Sequence, residues 1–539
     1  MPPESEPVEA DWPAAITAWE LLLGAERCVQ DADRMGPVLA NTLGLHRDVR
    51  CVLYPETVDE VQEIVRIAQQ HRSPLNPVST GKNWGLGSAL PVRDGAALLV
   101  LTRMNRIREV NEQHGYAVIE PGVTQQQLAA FLAQHHPSLA LNVTGSSEQT
   151  SIIGNALERG VGYMATRADS LSGLEIVLGD GEVLQTGFGH VPGSRMTHLY
   201  RYGHGPSLDG LFYQSNLGVI TAAGFQLIHT PDCAQSILCR MPAADMLPAF
   251  VDAMRALYQA GLIHSVTHLA NRARTRSTLE PLVAAELHVL SPEKNRSACL
   301  EEASLLLDQQ GFGPWSAILP LQGDRRMVRR ATRLIQKHLR PFCKVRVLSD
   351  GRLAFARRFL LPKSPRRALV NAIEPLFGFA ANRPSSGALG SVYHPLGEIP
   401  DRARWEEVDS SHAGSLYCLP YLPVDGSFLA EQVAVIEERA GGFGFVPAVT
   451  ANLVDGSAME LVISIAFDKR VQAQVEDAHN CVRELTEHFI RIGCPPYRVG
   501  IQSMDQVVDS ESPYWQYVRR LKQVFDPYGI IAPGRYNID

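Results

Sequence analysis

Between Pro77 and Ser88 the sequence reads Pro-Val-Ser-Thr-Gly-Lys-Asn-Trp-Gly-Leu-Gly-Ser. Glycines at 81, 85 and 87 argue against helix or strand here and let backbone N–H groups approach a ligand closely. Ser79, Thr80 and Ser88 add hydroxyl donors. Such a run can cradle a diphosphate, or it can be no more than a tight loop. It lacks the G-x-x-x-x-G-K-S/T pattern, and no G-x-G-x-x-G opens a helix behind it. Two further clusters tip the balance. One is Thr144-Gly-Ser-Ser147 with Ser151-Ile-Ile-Gly-Asn155 and Arg159-Gly-Val-Gly162; the other is Gln214-Ser-Asn-Leu-Gly-Val-Ile-Thr221. One such loop is easily a turn. Several in one region predict a long, polyphosphate-containing ligand lying along the backbone.

The segments around these loops alternate strand and helix, which predicts an α+β class. Cys51 to Tyr54 is an apolar strand closed by Pro55. Thr57 and Glu60 form a capping box for a helix with Val61, Ile64, Val65 and Ala68 on one face. Ala97 to Leu101 and Ala117 to Glu120 read as strands. Thr124 and Gln127 open a helix with Leu128, Phe131 and Leu132 inward. Leu174 to Leu178 and Glu182 to Leu184 form a hairpin, because Asp180-Gly181 suits a tight turn. Around Pro231-Asp232 the glycine-rich motifs stop, and longer amphipathic helices alternate with apolar strands. Val475, Ala478, Val482, Leu485 and Phe489 predict a helix over 471–492, stopped by Gly493.

A length of 539 residues exceeds one ordinary core and predicts two or more domains. The net charge of -7 gives no reason to expect nucleic acid or an anionic membrane as partner. No apolar run reaches membrane-spanning length. The start, MPPESEPVEADWP, has neither the basic head nor the apolar core of a secretory signal, so a cytoplasmic location is expected. Nine scattered cysteines without a C-x-x-C pair argue against a zinc site or disulfide framework, and no metal site is expected. There is no c-type haem motif, so any cytochrome partner would be a separate chain.

The ordered set GKNWGLGS, EPGVT, SSEQTSIIGNALERGVG, GPSLDGLFYQSNLGVIT and DPYGIIAPGRY resembles the vanillyl-alcohol oxidase and para-cresol methylhydroxylase flavoproteins over nearly the whole chain. Tyr497-Arg498 and the APGRY ending favour this branch over wider flavoprotein families that share the first loop. The resemblance implies a PCMH-type FAD-binding domain made from residues 1–231 and 495–539. A substrate or cap domain, 232–494, would cover the flavin ring with a large antiparallel sheet flanked by helices. Ser79, Thr80, Gly81, Lys82, Asn83, Trp84, Gly85, Gly87 and Ser88 would surround the diphosphate. Pro121, Gly122, Ser147, Ile153, Gly154, Asn155, Gly218, Val219 and Ile220 would line the rest of FAD, and Arg535 would reach the flavin end. The family's substrates are para-substituted phenols bound as phenolates. Hydride leaves the benzylic carbon for the flavin, and water or rearrangement quenches the resulting quinone methide. Tyr497 and Arg498 match the phenolate-binding pair; Arg is cationic at any working pH and the Tyr hydroxyl donates to the same oxygen. Asp169 lies near the family's active-site acid, in a segment two residues shorter than usual, so it is alternatively a loop-capping residue. Electrons would pass on to oxygen or to a separate acceptor, and a homo-oligomer is expected.

Three departures from the family pattern stand out. Leu86 occupies the position of a second phenolate-binding tyrosine. Ser415 stands where oxidases of the family carry a flavin-linked histidine, which favours non-covalent FAD; Tyr393, His394 and His412 are the alternative anchors. Arg325 to Arg346 is strongly basic and reads as a helix with a solvated cationic face, or as a dock for an acidic partner. The expected activity is an FAD-dependent oxidase or dehydrogenase of an aromatic, phenol-like substrate. The alternative is a diverged member acting on a specialised natural-product intermediate.

Overall fold

The computed structural model describes residues 10–361 and 364–538. Most of the acidic, proline-rich start lies outside them. Strand Val49–Leu53 runs parallel to Ala96–Val100, which has Leu75–Val78 parallel on its other side; Cys28–Val29 adds an antiparallel edge. The connecting helix Val58–His71 starts where expected: the Thr57 hydroxyl accepts from the Glu60 N–H, and Val61, Ile64, Val65 and Ala68 are buried. The first glycine-rich loop therefore leaves the carboxyl end of a buried parallel strand, the usual place for a ligand in such sheets. Residues far along the chain complete this sheet. Leu75 donates its N–H to the Ile530 carbonyl at 2.7 Å and accepts from Ala532 at 2.7 Å, and Ile530 and Ile531 are buried in the same apolar cluster.

A second sheet has the order Ile107–Asn111, Tyr116–Ile119, Val219–Gln226, Leu171–Val177, Val183–Gln185. The expected hairpin closes it, with Asp180 Oδ1 accepting from the Glu182 N–H at 2.9 Å. The helix Gln125–His135 buries Leu128 and Leu132. Phe131 is only half-buried, its ring lying 4.7 Å from that of His135.

From Cys233 onward an eight-stranded antiparallel sheet dominates. Its main path runs Lys344–Leu348, Cys233–Met241, Trp315–Gly323, Thr267–Asn271, Ala448–Leu453, Ala458–Asp468, Ala413–Cys418. Helix Gln472–Arg491 packs on it through Val475, Ala478, Val482, Leu485 and Phe489. The basic stretch is shorter as a helix than the sequence reading had it. It spans Arg325–Leu339, burying Val328, Thr332, Ile335 and Leu339 and exposing its arginines. Pro341 cannot continue the helical hydrogen bonding, and Lys344 and Arg346 lie on the edge strand instead.

The other face of the sheet meets helices Arg272–Leu290 and Pro365–Ala380. Alternation along each strand aims His268 and Ala270, Ser316 and Ile318, and Thr450 and Asn452 to this side. Register sets His268 directly opposite Asn452, and Asn452 opposite Glu460.

Candidate active site

Two concave spaces meet beside the first loop. The first is a cleft in the α+β half. Of the residues assigned to FAD, Ser79, Thr80, Gly81, Lys82, Asn83, Ser88, Pro121, Ile153, Gly154, Asn155, Gly218, Ile220 and Arg535 line it. Among the described residues, the backbone N–H groups of Thr80, Gly81, Lys82 and Asn83 are donated to no protein acceptor. Four consecutive free donors beside a lysine form a concave anion site. Gly154 completes the wall: a Cβ there would sit 2.2 Å from the Ser79 hydroxyl and 3.2 Å from its Cβ, so a larger residue would have to push Ser79 aside where its helix meets the first loop. The cleft thus has the donors and the small-residue walls that a dinucleotide requires.

The second space is a cavity of about 350 Å³ between the first loop and the large sheet. Lys82, Asn83, Asn155 and Arg498 line both spaces and form the throat between them. Leu86, Tyr497 and Arg498 all face this cavity, as do Tyr163, His268, Arg274, Tyr417 and Asn452. Gly85 serves this half of the molecule. Its φ of +74° suits glycine, and a Cβ would strike the Tyr417 ring at 2.7 Å.

Charges at the throat are balanced from within. Glu158 lies between Arg535, its hydrogen-bonded partner, and Arg498, whose Nε stands 3.6 Å away. Burial pushes the Glu158 carboxyl up, but the two guanidinium charges outweigh it and hold it below the usual carboxylate range. Arg498 also donates to Asn83 Oδ1 at 2.5 Å, which ties it to the first loop. Its neighbour Tyr497 sits beside Glu460, and burial first and the Glu460 charge second push its hydroxyl well above the ordinary value. Glu460 is 2% exposed and its Oε2 has no hydrogen-bond partner among the described residues. Burial, only partly offset by hydrogen bonds from Tyr497 and Asn452, pushes its carboxyl up to about 8. Asn452 continues the network, with its Oδ1 2.8 Å from His268 Nδ1. An amide oxygen only accepts, so Nδ1 carries the proton and Nε2 keeps its lone pair. Burial lowers His268 to about 4, which keeps it neutral.

Several assigned residues lie elsewhere. Asp169 is not brought to the site; its side chain is 70% exposed, pairs with Arg201 at 3.7 Å and lines neither space. Trp84 borders the cavity rather than the cleft, with its indole N–H donating to Asp409 at 2.7 Å. Gly85, Gly87, Gly122, Ser147 and Val219 do not line the cleft. Gly87 packs on Ile501, Gly122 on the carbonyls of residues 101, 102 and 104, and Val219 is strand core. The Ser147 hydroxyl is taken by Glu406 at 2.6 Å. Of the three flavin anchors considered, Tyr393 and His412 face a separate cavity shared with Glu398 and Ile399, and His394 Nε2 is 2.6 Å from Glu280. Sequence reasoning missed Glu158, Glu460, Asn452, His268 and Arg274. Polar residues at inward positions of apolar strands, as in Thr267-His-Leu-Ala-Asn271, were the available signal.

Comparison with known proteins matches residues 49–187 to the FAD binding domain family and residues 412–536 to the C-terminal domain of FAD linked oxidases. A 1'-carboxy-chondrochloren decarboxylase of Chondromyces crocatus is 32% identical over 538 residues, covering 97% of each chain. The 4-cresol dehydrogenase (hydroxylating) flavoprotein subunit of Pseudomonas putida is 26% identical, covering 98% of this chain and 96% of its own. The solved structure of 4-ethylphenol oxidase from Gulosibacter chungangensis superposes with a TM-score of 0.84 at 26% identity, covering 99% of this chain and 98% of that one.

Proposed function

This chain belongs to the vanillyl-alcohol oxidase and para-cresol methylhydroxylase family and is an FAD-dependent oxidoreductase; from that premise we propose that it takes hydride from the benzylic carbon of a para-substituted phenol. The observation that carries the proposal is Arg498, a cation lining both the cofactor cleft and the substrate cavity, with Tyr497 beside it. Bound FAD supplies the hydride acceptor. The thirteen cleft residues would hold it, and the free N–H groups of Thr80 to Asn83 would serve its diphosphate. Arg498 would hold the phenol as phenolate, and the ionised oxygen pushes electron density through the ring to the benzylic carbon of the para substituent, from which hydride leaves. Tyr497 donates to the same oxygen once it turns from Glu460. Leu86 supplies an apolar wall where relatives have a hydroxyl, which leaves Arg498 a larger share of the charge. Asp169 takes no part in this reading. Ser415 and the positions of Tyr393, His394 and His412 support non-covalent FAD.

An Arg498→Met protein tests the proposal by anaerobic stopped-flow reduction with para-alkylphenols. The rate is expected to fall by about two orders of magnitude or more, the scale for removing one oxyanion-stabilising donor. Reduction at the wild-type rate would overturn the phenolate reading.

A second reading, oxidation of a specialised natural-product intermediate, is favoured by the cavity's apolar far wall of Leu238, Phe312, Ile373 and Leu376 and by the C. crocatus relative, whose name describes loss of a carboxy group. No helix among the described residues is long and apolar enough to cross a membrane. We place the enzyme in the cytoplasm as a homo-oligomer, passing electrons to oxygen or to a separate carrier.

A further inference from the structure

Helix Arg272–Leu290 begins against the large sheet and carries three arginines in its first turns. Two are matched within the protein. Arg272 pairs with Asp308 at 3.2 Å, and Arg276 pairs with Glu280 at 2.6 Å and with Asp308 at 3.2 Å. Arg274, between them, is not. Among the described residues it has no ion pair, and its guanidinium makes one side-chain hydrogen bond, from Nη1 to the Ser391 hydroxyl at 3.5 Å. The nearest acid on its own helix, Glu280, is already held by Arg276 and by His394.

The position of this cation is as telling as its lack of a partner. Its N–H is fixed by the Asn271 side chain at 2.9 Å, which sets the helix start at the end of strand Thr267–Asn271. The side chain lies in the wall of the substrate cavity, where its neighbours are largely apolar or neutral. Tyr163 and His268, whose rings lie 4.2 Å apart and tilted by 38° on the same wall, both feel its charge. Arg274, Ser391, Val392 and Tyr417 also line a second cavity that extends to the exposed Val446, so Arg274 stands where the inner cavity adjoins the outside. The other cations of the inner cavity, Lys82 and Arg498, belong to the throat. An aromatic substrate without charge would gain nothing from a third cation here, and a half-buried guanidinium without a counter-ion is costly. Its fork of donors suits a carboxylate.

We propose that Arg274 anchors a carboxylate on the substrate's para side chain, so that the substrate is an anionic arylalkanoate rather than a simple alkylphenol. The proposal rests on the phenol reading for the ring, and on Arg274 alone for the acid.

The test separates the two. Dissociation constants are measured from the flavin's visible spectrum, on FAD-saturated protein, for 3-(4-hydroxyphenyl)propanoate, its methyl ester and 3-phenylpropanoate. Wild-type protein should prefer the acid over its ester by about 10- to 100-fold, the scale of a charge-assisted hydrogen bond. In Arg274→Met that preference should fall to about one, and Arg274→Lys should restore part of it. 3-Phenylpropanoate should bind and respond to the Met substitution in the same way, although it has no phenol to oxidise. Equal binding of acid and ester by wild type, or an unchanged preference in Arg274→Met, overturns the proposal. If instead the anions bind through Arg274 but the phenolic acid fails to reduce the flavin, the carboxylate anchor stands and the phenol oxidation falls.

Discussion

Glu460 makes the pH dependence of stability predictable. Replacing it by Gln keeps an oxygen to accept from Tyr497 and Asn452 and removes a buried ionisable group. The folded protein holds the Glu460 proton up to about 8, against 4.5 for the free side chain. A raised pKa means that the folded state binds the proton more tightly than the unfolded chain does. Its stabilising effect is therefore complete below about pH 4.5 and is lost progressively as pH rises through the window to about 8. At 1.36 kcal/mol per pKa unit, a group near 2% exposed loses about 3 kcal/mol by pH 7 relative to acid. Glu460→Gln has no such loss. Thermal melts of the FAD-loaded proteins from pH 5 to 9 read the difference. The two melting temperatures should diverge in favour of the variant as pH rises and stop diverging above about pH 9. At roughly 2–4 °C per kcal/mol for a unit of 150–250 residues, the divergence is several degrees. A constant offset, which the unpaired amide of the new Gln would also produce, does not count. Parallel curves across the whole range would refute a buried, protonated Glu460.

Gly154→Val should give protein without bound flavin, because even a Cβ would meet the Ser79 hydroxyl at 2.2 Å; stoichiometric FAD in the purified variant would contradict the cleft assignment. Acid precipitation of the holoenzyme should leave the yellow colour in the supernatant, whereas a yellow pellet with label on Tyr393, His394 or His412 would mean a covalent link. Glu158→Gln removes the counter-charge of two arginines, which should tighten binding of anionic phenol analogues at the throat; unchanged affinity for such analogues would show that Arg498 is not free to serve substrate.

Much of the cofactor half was legible because its signals are local. Glycines and hydroxyls in Ser79 to Ser88 and Ser151 to Asn155 act through the backbone of their own loops, and the capping of Val58–His71 is a three-residue matter. The substrate side was legible only in part. Tyr497 and Arg498 carry a short motif, but Glu460, Asn452 and His268 become a network only because strand register sets them opposite one another, and register between distant strands has no local signature. Asp169 shows the converse: it sits in a matching short pattern, but where its side chain points, toward Arg201 and solvent, depends on loop geometry that a pattern of neighbours does not encode. The basic run is longer than its helix because charge is not a helix signal: the arginines continue past Leu339, while Pro341 ends the helical hydrogen bonding and Lys344 and Arg346 pass to a strand.

The pairing of Leu75 with Ile530 and Ala532, and of Arg535 with Glu158, has a consequence for how the protein is made. The glycine-rich loops of the cofactor cleft are synthesised within the first 221 residues, yet one strand edge of that sheet and the cleft wall of Ile531, Ala532 and Arg535 wait for about three hundred more. On the ribosome the nascent cofactor half is an unfinished sheet with Leu75 unpaired while the entire substrate half emerges and folds. The cleft is complete only after residues 530–535 have been translated and have found their place. A chain ending just after Phe525, which keeps every strand of the large sheet but lacks Ile530 to Arg535, should therefore stay colourless.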